Sequence, residues 1–234
     1  GALNMWYEAD LDKLMSRTCL RPIPTGKVNK SQALIFGLAL SLISIYGLYY
    51  FSNLLSAFIL FFTIFFYVVV YTVWLKRKTP QNIVIGGAAG ALPPVIGWVS
   101  VSGDINSFPI ILFLLIFIWT PPHFWALSLF SENDYGKVGL PMLPNVLGRK
   151  TTIKSIIKYS YLLYLISLLP YFLKYSGVFY FIVAVLLNTL FLYIAYCVKP
   201  QDSISSKKLF KFSILYLFMI FIALIADNFL TFYW

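Results

Sequence analysis

Charge is what this chain has least of. Asp, Glu, Lys and Arg make up 11% of its 234 residues, and only eight side chains are acidic. Soluble domains carry about 25% charged residues, so a soluble globular fold is excluded. The sequence holds a single histidine and two cysteines. Cys19 and Cys197 show neither metal-ligand spacing nor a disulfide framework, and Cys197 is expected to be a small buried hydrophobe. No periodic repeat and no low-complexity tract interrupts the chain. It opens Gly-Ala-Leu-Asn without an initiator Met, which reads as a fragment or a processed product.

Apolar and aromatic residues are abundant. Hydrophobic residues reach 60%, with 22 Phe and 17 Tyr. Several uncharged runs are as long as the roughly 20 residues a helix needs to cross a bilayer. The expected fold is an all-α polytopic membrane protein with the lipid bilayer as its first partner. Seven spans are expected, near residues 32–50, 54–75, 83–101, 108–130, 155–171, 179–198 and 209–229. Pro22 and Pro24 end a first polar helix. In the third span Gly86 and Gly90 form a small-xxx-small pair, and Pro93-Pro94 should kink or interrupt the helix. That texture suits tight packing or a bent cavity wall. Tyr67, Tyr71 and Trp74 share one side of the second span, as a cavity wall or as lipid contacts.

The net charge of +10 suggests nucleic acid at first sight. Placement argues against it. All of the 18 Lys and Arg except Lys174 fall in or beside residues 1–31, 76–82, 131–158 and 199–211. If each span crosses once, those segments share one side, which the positive-inside rule makes cytoplasmic or mitochondrial-matrix. Nucleic acid is therefore not an expected partner. The topology puts two polar segments, 1–31 and 131–154, on the same face of the membrane.

Those segments hold the candidate chemistry. Asn4, Glu8 and Asp12 are spaced four apart, one turn above the next on a helix. Arg17 and Arg21 follow. Two carboxylates, an amide and two guanidiniums suit a divalent cation with a phosphorylated ligand, because Mg²⁺ commonly takes one or two carboxylates plus substrate phosphates. A solvated charged loop is the alternative. The second patch is Glu132, Asn133 and Asp134, followed by Tyr135 and Lys137. The two patches suit one diphosphate site bridged by metal, with Arg17, Arg21, Lys76 and Arg77 as clamps on the phosphate oxygens. Lys78 reads as a topology signal. His123, well inside the fourth span, suits an iron ligand, a proton carrier or a hydrogen bond between helices.

Longer motifs carry a resemblance. Asn4-x3-Glu8-x3-Asp12 is similar to the N-x3-D-x3-D motif of the intramembrane UbiA-type prenyltransferases, with Glu in place of the first Asp. The heme-modifying branch of that family adds Arg17-Thr18-x2-Arg21-Pro22, the run from Tyr71 to Gly87, Pro121-Pro122-His123-Phe124-Trp125, and the run from Asp134 to Pro144. The resemblance covers essentially the whole chain. A second D-x3-D motif of the wider family is incomplete, since Val138 stands four residues after Asp134.

The resemblance implies a single prenyltransferase domain over residues 1–234, with seven spans present of an expected nine and the missing pair preceding Gly1. It implies transfer of farnesyl from farnesyl diphosphate to the 2-vinyl group of heme b with addition of water. Mg²⁺ would be held by Asn4, Glu8, Asp12 and Asp134, which are the catalytic set. Arg17, Arg21, Lys76, Arg77, Lys137 and Tyr71 would bind substrate, and His123 would contact heme. The expected location is a bacterial inner membrane, or the mitochondrial inner membrane in a eukaryote. Heme A synthase or cytochrome oxidase assembly proteins would be partners. A prenyltransferase acting on a quinone precursor is the alternative within the fold. A transporter is the alternative outside it, although a transporter would spread ionisable residues through the membrane rather than gather them at one face.

Overall fold

The computed structural model describes residues 1–232. Two short helices, α1 (Ala2–Tyr7) and α2 (Ala9–Asp12), precede α3 (Lys30–Phe51). Next come α4 (Leu54–Phe65) with a π-helical continuation (Phe66–Leu75), then α5 (Asn82–Ala91) and α6 (Pro93–Ser102). The long α7 (Ser107–Phe130) leads into α8 (Glu132–Lys137) and α9 (Leu143–Leu147). The chain finishes with α10 (Arg149–Phe172), α11 (Val178–Tyr196) and α12 (Ser203–Phe232). Counting α4 with its continuation, and α5 with α6, seven helical segments are long and apolar enough to cross a membrane. They fall on the seven spans expected from hydropathy.

Local chemistry sets the boundaries. The Asn53 carboxamide accepts from the Ser56 amide at 2.8 Å, and the Asn106 carboxamide accepts from the Phe108 amide at 3.0 Å, so an asparagine starts α4 and α7 alike. Pro93 stands at the first position of α6, where its missing N–H is harmless, and the third span divides there as the Pro93-Pro94 pair predicts. The second span departs from a plain α-helix. The Lys76 amide donates to the Tyr71 carbonyl, and the Thr72 hydroxyl to the Tyr67 carbonyl, both five residues back. This wider winding breaks the i, i+4, i+7 face. Tyr67 and Tyr71 turn inward, whereas Trp74 is exposed.

α7 is the hub. It packs against α5, α6, α10 and α12, and α11 closes the ring between α10 and α12. Leu115, Trp125, Leu129, Ile156, Leu163 and Tyr216 are almost wholly buried along this core. Cys197 corrects the sequence expectation. It caps α11 and is exposed, because Ala195 and Val198 take the inward positions around it. A buried polar chain ties α10, α11 and α12. The Tyr216 hydroxyl donates to the Asn188 carboxamide at 2.9 Å, and the Asn188 amide donates to the Ser167 hydroxyl at 2.7 Å. The Tyr180 hydroxyl donates to the Ser167 carbonyl at 2.6 Å. Inside a bilayer such groups must find protein partners.

That chain makes a prediction. Tyr216→Phe strands the Asn188 oxygen and should lower stability by about 1 kcal/mol. Tyr161→Phe, which breaks only an exposed contact with Tyr196, should leave thermal unfolding in detergent unchanged. Equal unfolding temperatures for the two variants would contradict the assignment.

Candidate active site

The site is built where the first polar segment folds onto the inner ends of the spans. Glu8 interrupts α1 and α2 with a local kink, but its amide still bonds to the Asn4 carbonyl and the Asp12 amide to the Glu8 carbonyl, each at 2.9 Å. The four-residue ladder survives the kink, so Asn4, Glu8 and Asp12 share a face. That face points inward: all three side chains are buried, with Glu8 and Asp12 each 3% exposed. The alternative of a solvated loop is thereby excluded.

Each buried carboxylate has a resident base. Lys76 Nζ lies 2.5 Å from Glu8 Oε2, and the Asn4 amide donates to the same oxygen at 2.8 Å. Arg21 Nη1 donates to both oxygens of Asp12, at 2.9 and 3.0 Å. The Asn4 amide also reaches the Thr72 hydroxyl at 3.4 Å. The second oxygen of Glu8, Oε1, is buried and has no hydrogen-bond partner among the described residues.

These groups form the polar end of a cavity of about 360 Å³. Asn4, Glu8, Asp12, Arg17, Arg21 and Lys76 line that end. Tyr67, Tyr71, Trp119 and Phe124, with Gly86, Gly87 and Gly90, line much of the rest. The glycines have separate roles. A Cβ on Gly86 would stand 2.2 Å from the Tyr71 ring, and one on Gly87 would stand 2.9 Å from the Thr120 methyl. Gly90 meets nothing within 4 Å. The close contacts are therefore made by Gly86 against the Tyr71 ring and by Gly87 against α7, while Gly90 leaves room inside the cavity.

The two polar segments meet, but through Ser16 and Arg17 of the first rather than through its acidic residues. The Ser16 hydroxyl donates to the Asp134 carboxylate through a short hydrogen bond, and an Arg17 guanidinium N–H donates to the Tyr135 hydroxyl at 3.4 Å. Burial raises the Tyr135 phenol above its ordinary value, against the pull of the Arg17 charge, and keeps it neutral. Tyr135 lines the cavity but Asp134 does not; Asp134 faces Ser16 and, at 3.5 Å, Lys137. Arg77 is also outside the lining. It holds Asp10 in a two-pronged pair at 3.1 and 3.2 Å and covers the Tyr7 ring. Partial burial pushes the Asp10 carboxyl up, but the Arg77 hydrogen bond and charge outweigh it and hold the group below its usual range. Glu132 pairs with Arg149 at 2.5 Å.

His123 is not a cavity-lining residue. Its ring is stacked against Trp119 and Phe210, and its Nδ1 lies 2.7 Å from the Ser213 hydroxyl. The sequence reading missed Trp119, Thr120, Thr72 and Ser16. Trp119 and Thr120 stand just before the PPHFW motif, so proximity to that motif was the available signal for them.

A family model described as the UbiA prenyltransferase family matches residues 1–225. The chain belongs to this family. A protoheme IX farnesyltransferase from Pelagibacter ubique (strain HTCC1062) is 54% identical over 236 residues, covering 98% of this chain and 78% of its own. A protoheme IX farnesyltransferase 2 from Mesorhizobium japonicum is 52% identical, covering 97% and 74%. Solved structures agree in fold. A digeranylgeranylglyceryl phosphate synthase superposes with a TM-score of 0.77 at 22% identity, covering 97% of this chain and 79% of that one. A UbiA homolog from Archaeoglobus fulgidus, solved bound to DMAPP and Mg²⁺, gives a TM-score of 0.69 at 18% identity, covering 95% and 81%. The UbiA fold thus accounts for the seven-helix bundle.

The glycine geometry is testable by itself. Gly86→Ala must displace the Tyr71 ring and should destabilise the fold by about 1–3 kcal/mol. Gly90→Ala points into open space and should be nearly neutral. Thermal unfolding of the two purified variants decides it, and a reversed order would contradict the packing described.

Proposed function

We propose that this chain transfers the farnesyl group of farnesyl diphosphate to the 2-vinyl group of heme b, with addition of water, giving heme O and diphosphate. The protoheme IX farnesyltransferases that match nearly its whole length at half identity support the reaction. The observation that carries the site assignment is the buried pair Glu8 and Asp12, held by the half-buried bases Lys76 and Arg21, at the polar end of an otherwise largely aromatic cavity.

The donor set fits Mg²⁺. Among the described residues no three His, Cys, Asp or Glu side chains cluster closely enough to hold a metal by themselves. Mg²⁺ usually keeps one or two carboxylates and takes its other oxygens from phosphate and water. The unpartnered Oε1 of Glu8, the Asn4 carboxamide and the Asp12 carboxylate provide such a partial shell. Asp134 lies outside the lining, bonded to Ser16 and paired with Lys137, and supports this shell only by tying down the first segment. Bound there, Mg²⁺ would neutralise the diphosphate and make it a better leaving group.

This chain's own residues account for the other requirements. Arg17, Arg21 and Lys76 hold the diphosphate oxygens by charge-assisted hydrogen bonds. Arg77 fixes Asp10 and orders the segment that carries the motif, and Lys137 does the same for Asp134. The C1–O bond of the donor breaks and its electron pair leaves with the diphosphate. The terminal vinyl carbon of heme forms the new bond to C1, and water adds to the other vinyl carbon with loss of a proton. Tyr71, Tyr67 and Phe124 surround the chain of the donor and keep stray water from the allylic carbon. Several inner-membrane consequences follow from the same reading: the motif loops face the cytoplasm of a bacterium, and both substrates arrive from the bilayer or its surface. Heme A synthase or an oxidase assembly protein would take the product.

Membranes bearing the chain, supplied with heme b, labelled farnesyl diphosphate and Mg²⁺, should form farnesylated heme. A prenylated quinone precursor in its place would sink the proposal. Asp12→Asn and Glu8→Gln should each lower turnover by about a hundredfold and raise the Mg²⁺ concentration needed for half-maximal rate. An unchanged metal response would remove that residue from the site.

A further inference from the structure

Among the described residues, α12 contributes no side chain to the cavity, yet it grips one of the cavity walls. Trp119 lines the cavity, and its indole N–H donates to the backbone carbonyl of Ser213 on α12 at 2.8 Å. The His123 ring stacks on Trp119, with centroids 4.3 Å apart and planes 19° from parallel. Phe210, also on α12, stacks on His123 at 4.6 Å and 25°. Two rings at such distances cannot share one face, so the imidazole is enclosed between them.

Hydrogen bonding fixes its orientation. The Ser213 hydroxyl donates its single proton to the Phe210 carbonyl at 2.6 Å. It therefore accepts from His123, whose Nδ1 carries the proton. Indole, imidazole and hydroxyl form one locked unit reaching from the cavity to α12. Trp119 also stands at a telling depth. Its neighbour Thr120 packs on Gly87, next to the glycine that accommodates Tyr71, and the Tyr71 ring lies beneath Lys76. The indole is thus just beyond the charged end of the cavity.

We propose that Ser213 and His123 are positioning residues: through them α12 holds Trp119 and sets where the reacting allylic carbon lies. The inference rests on the farnesyl-transfer reading of the cavity. Once the C1–O bond has broken and the electron pair has left with diphosphate, the allylic cation meets either the vinyl carbon or water. Capture by water yields farnesol and a proton. A loosened wall therefore shows itself as farnesol formed at the expense of farnesylated heme.

The test measures both products from the full chain in lipid nanodiscs with heme b, farnesyl diphosphate and Mg²⁺. Ser213→Ala should raise the ratio of farnesol to farnesylated heme roughly tenfold, with KM for farnesyl diphosphate held within about twofold. Ser213→Thr, which restores the hydroxyl, should bring the ratio back. His123→Phe keeps the stack but loses the Nδ1–H and should give an intermediate ratio. A ratio unchanged in Ser213→Ala overturns the proposal. So does His123→Phe abolishing heme binding while Ser213→Ala binds heme normally and keeps the ratio of the unmodified chain, since His123 would then be an iron ligand. A second readout needs no heme. In fluorotryptophan-labelled protein, the Trp119 fluorine resonance, assigned by its loss in Trp119→Phe, should shift and broaden in Ser213→Ala. An unmoved resonance overturns the brace, whereas an unmodified chain that makes no farnesylated heme overturns only the reaction assigned above.

Discussion

Two carboxylates buried at the end of an apolar bundle govern the rest of this structure. Removing an ionised carboxylate from water costs several kcal/mol unless a partner offsets it. Glu8 and Asp12 are both nearly inaccessible, and both are paired, with Lys76 and Arg21. The partners come from different places. Arg21 follows in the same segment, but Lys76 arrives from the end of the second span, 68 residues on. The π-helical winding that precedes Lys76 turns Tyr67 and Tyr71 into the cavity while delivering the ammonium to Glu8. Pairing and cavity shape therefore have one structural origin.

The pairs also explain how an anionic ligand can be received by a site that looks acidic. Among the titratable groups lining the cavity, Arg17, Arg21 and Lys76 outnumber Glu8 and Asp12. Before a metal arrives the balance is positive, which favours a diphosphate. The bases can move from carboxylate to phosphate oxygens, while the freed carboxylates turn to the metal that accompanies the diphosphate. Beyond this charged end the lining becomes largely aromatic, and the proposed reaction would place leaving-group chemistry and carbon–carbon bond formation at successive depths of one cavity. The wall at the second depth is held from α12, a helix with no residue in the cavity.

Much of this was legible in the residues. Hydropathy was enough for the seven spans, and the spacing of Asn4, Glu8 and Asp12 was enough for their common face. What was not legible depended on backbone geometry or on partners distant in sequence. An α-helical period put Trp74 beside Tyr67 and Tyr71, and the π-helix separated it. The small-xxx-small pattern pointed to Gly86 and Gly90; Gly86 does meet a close neighbour in Tyr71, but the second close contact falls on Gly87 rather than Gly90, because helix rotation is set by what α7 presents. Side-chain type made Arg77 and Lys137 candidates equal to Lys76. Only the fold shows that Arg77 and Lys137 face Asp10 and Asp134, whereas Lys76 faces the cavity. A histidine deep in a span invites a ligand role; the i, i+4 spacing to Trp119 was a local signal for one enclosing ring, but nothing in sequence foretold Phe210 from α12.

The central claim is that the Asn4, Glu8 and Asp12 end of the cavity receives diphosphate and Mg²⁺ together. Isothermal titration of the purified chain with inorganic diphosphate, in the presence and absence of Mg²⁺, tests it most directly. The account predicts weak binding of Mg²⁺ alone and of diphosphate alone. Each should strengthen the other, and Glu8→Gln should abolish that coupling while leaving the metal-free affinity for diphosphate no weaker. Equal diphosphate affinity with and without Mg²⁺, or coupling that survives Glu8→Gln, would contradict it.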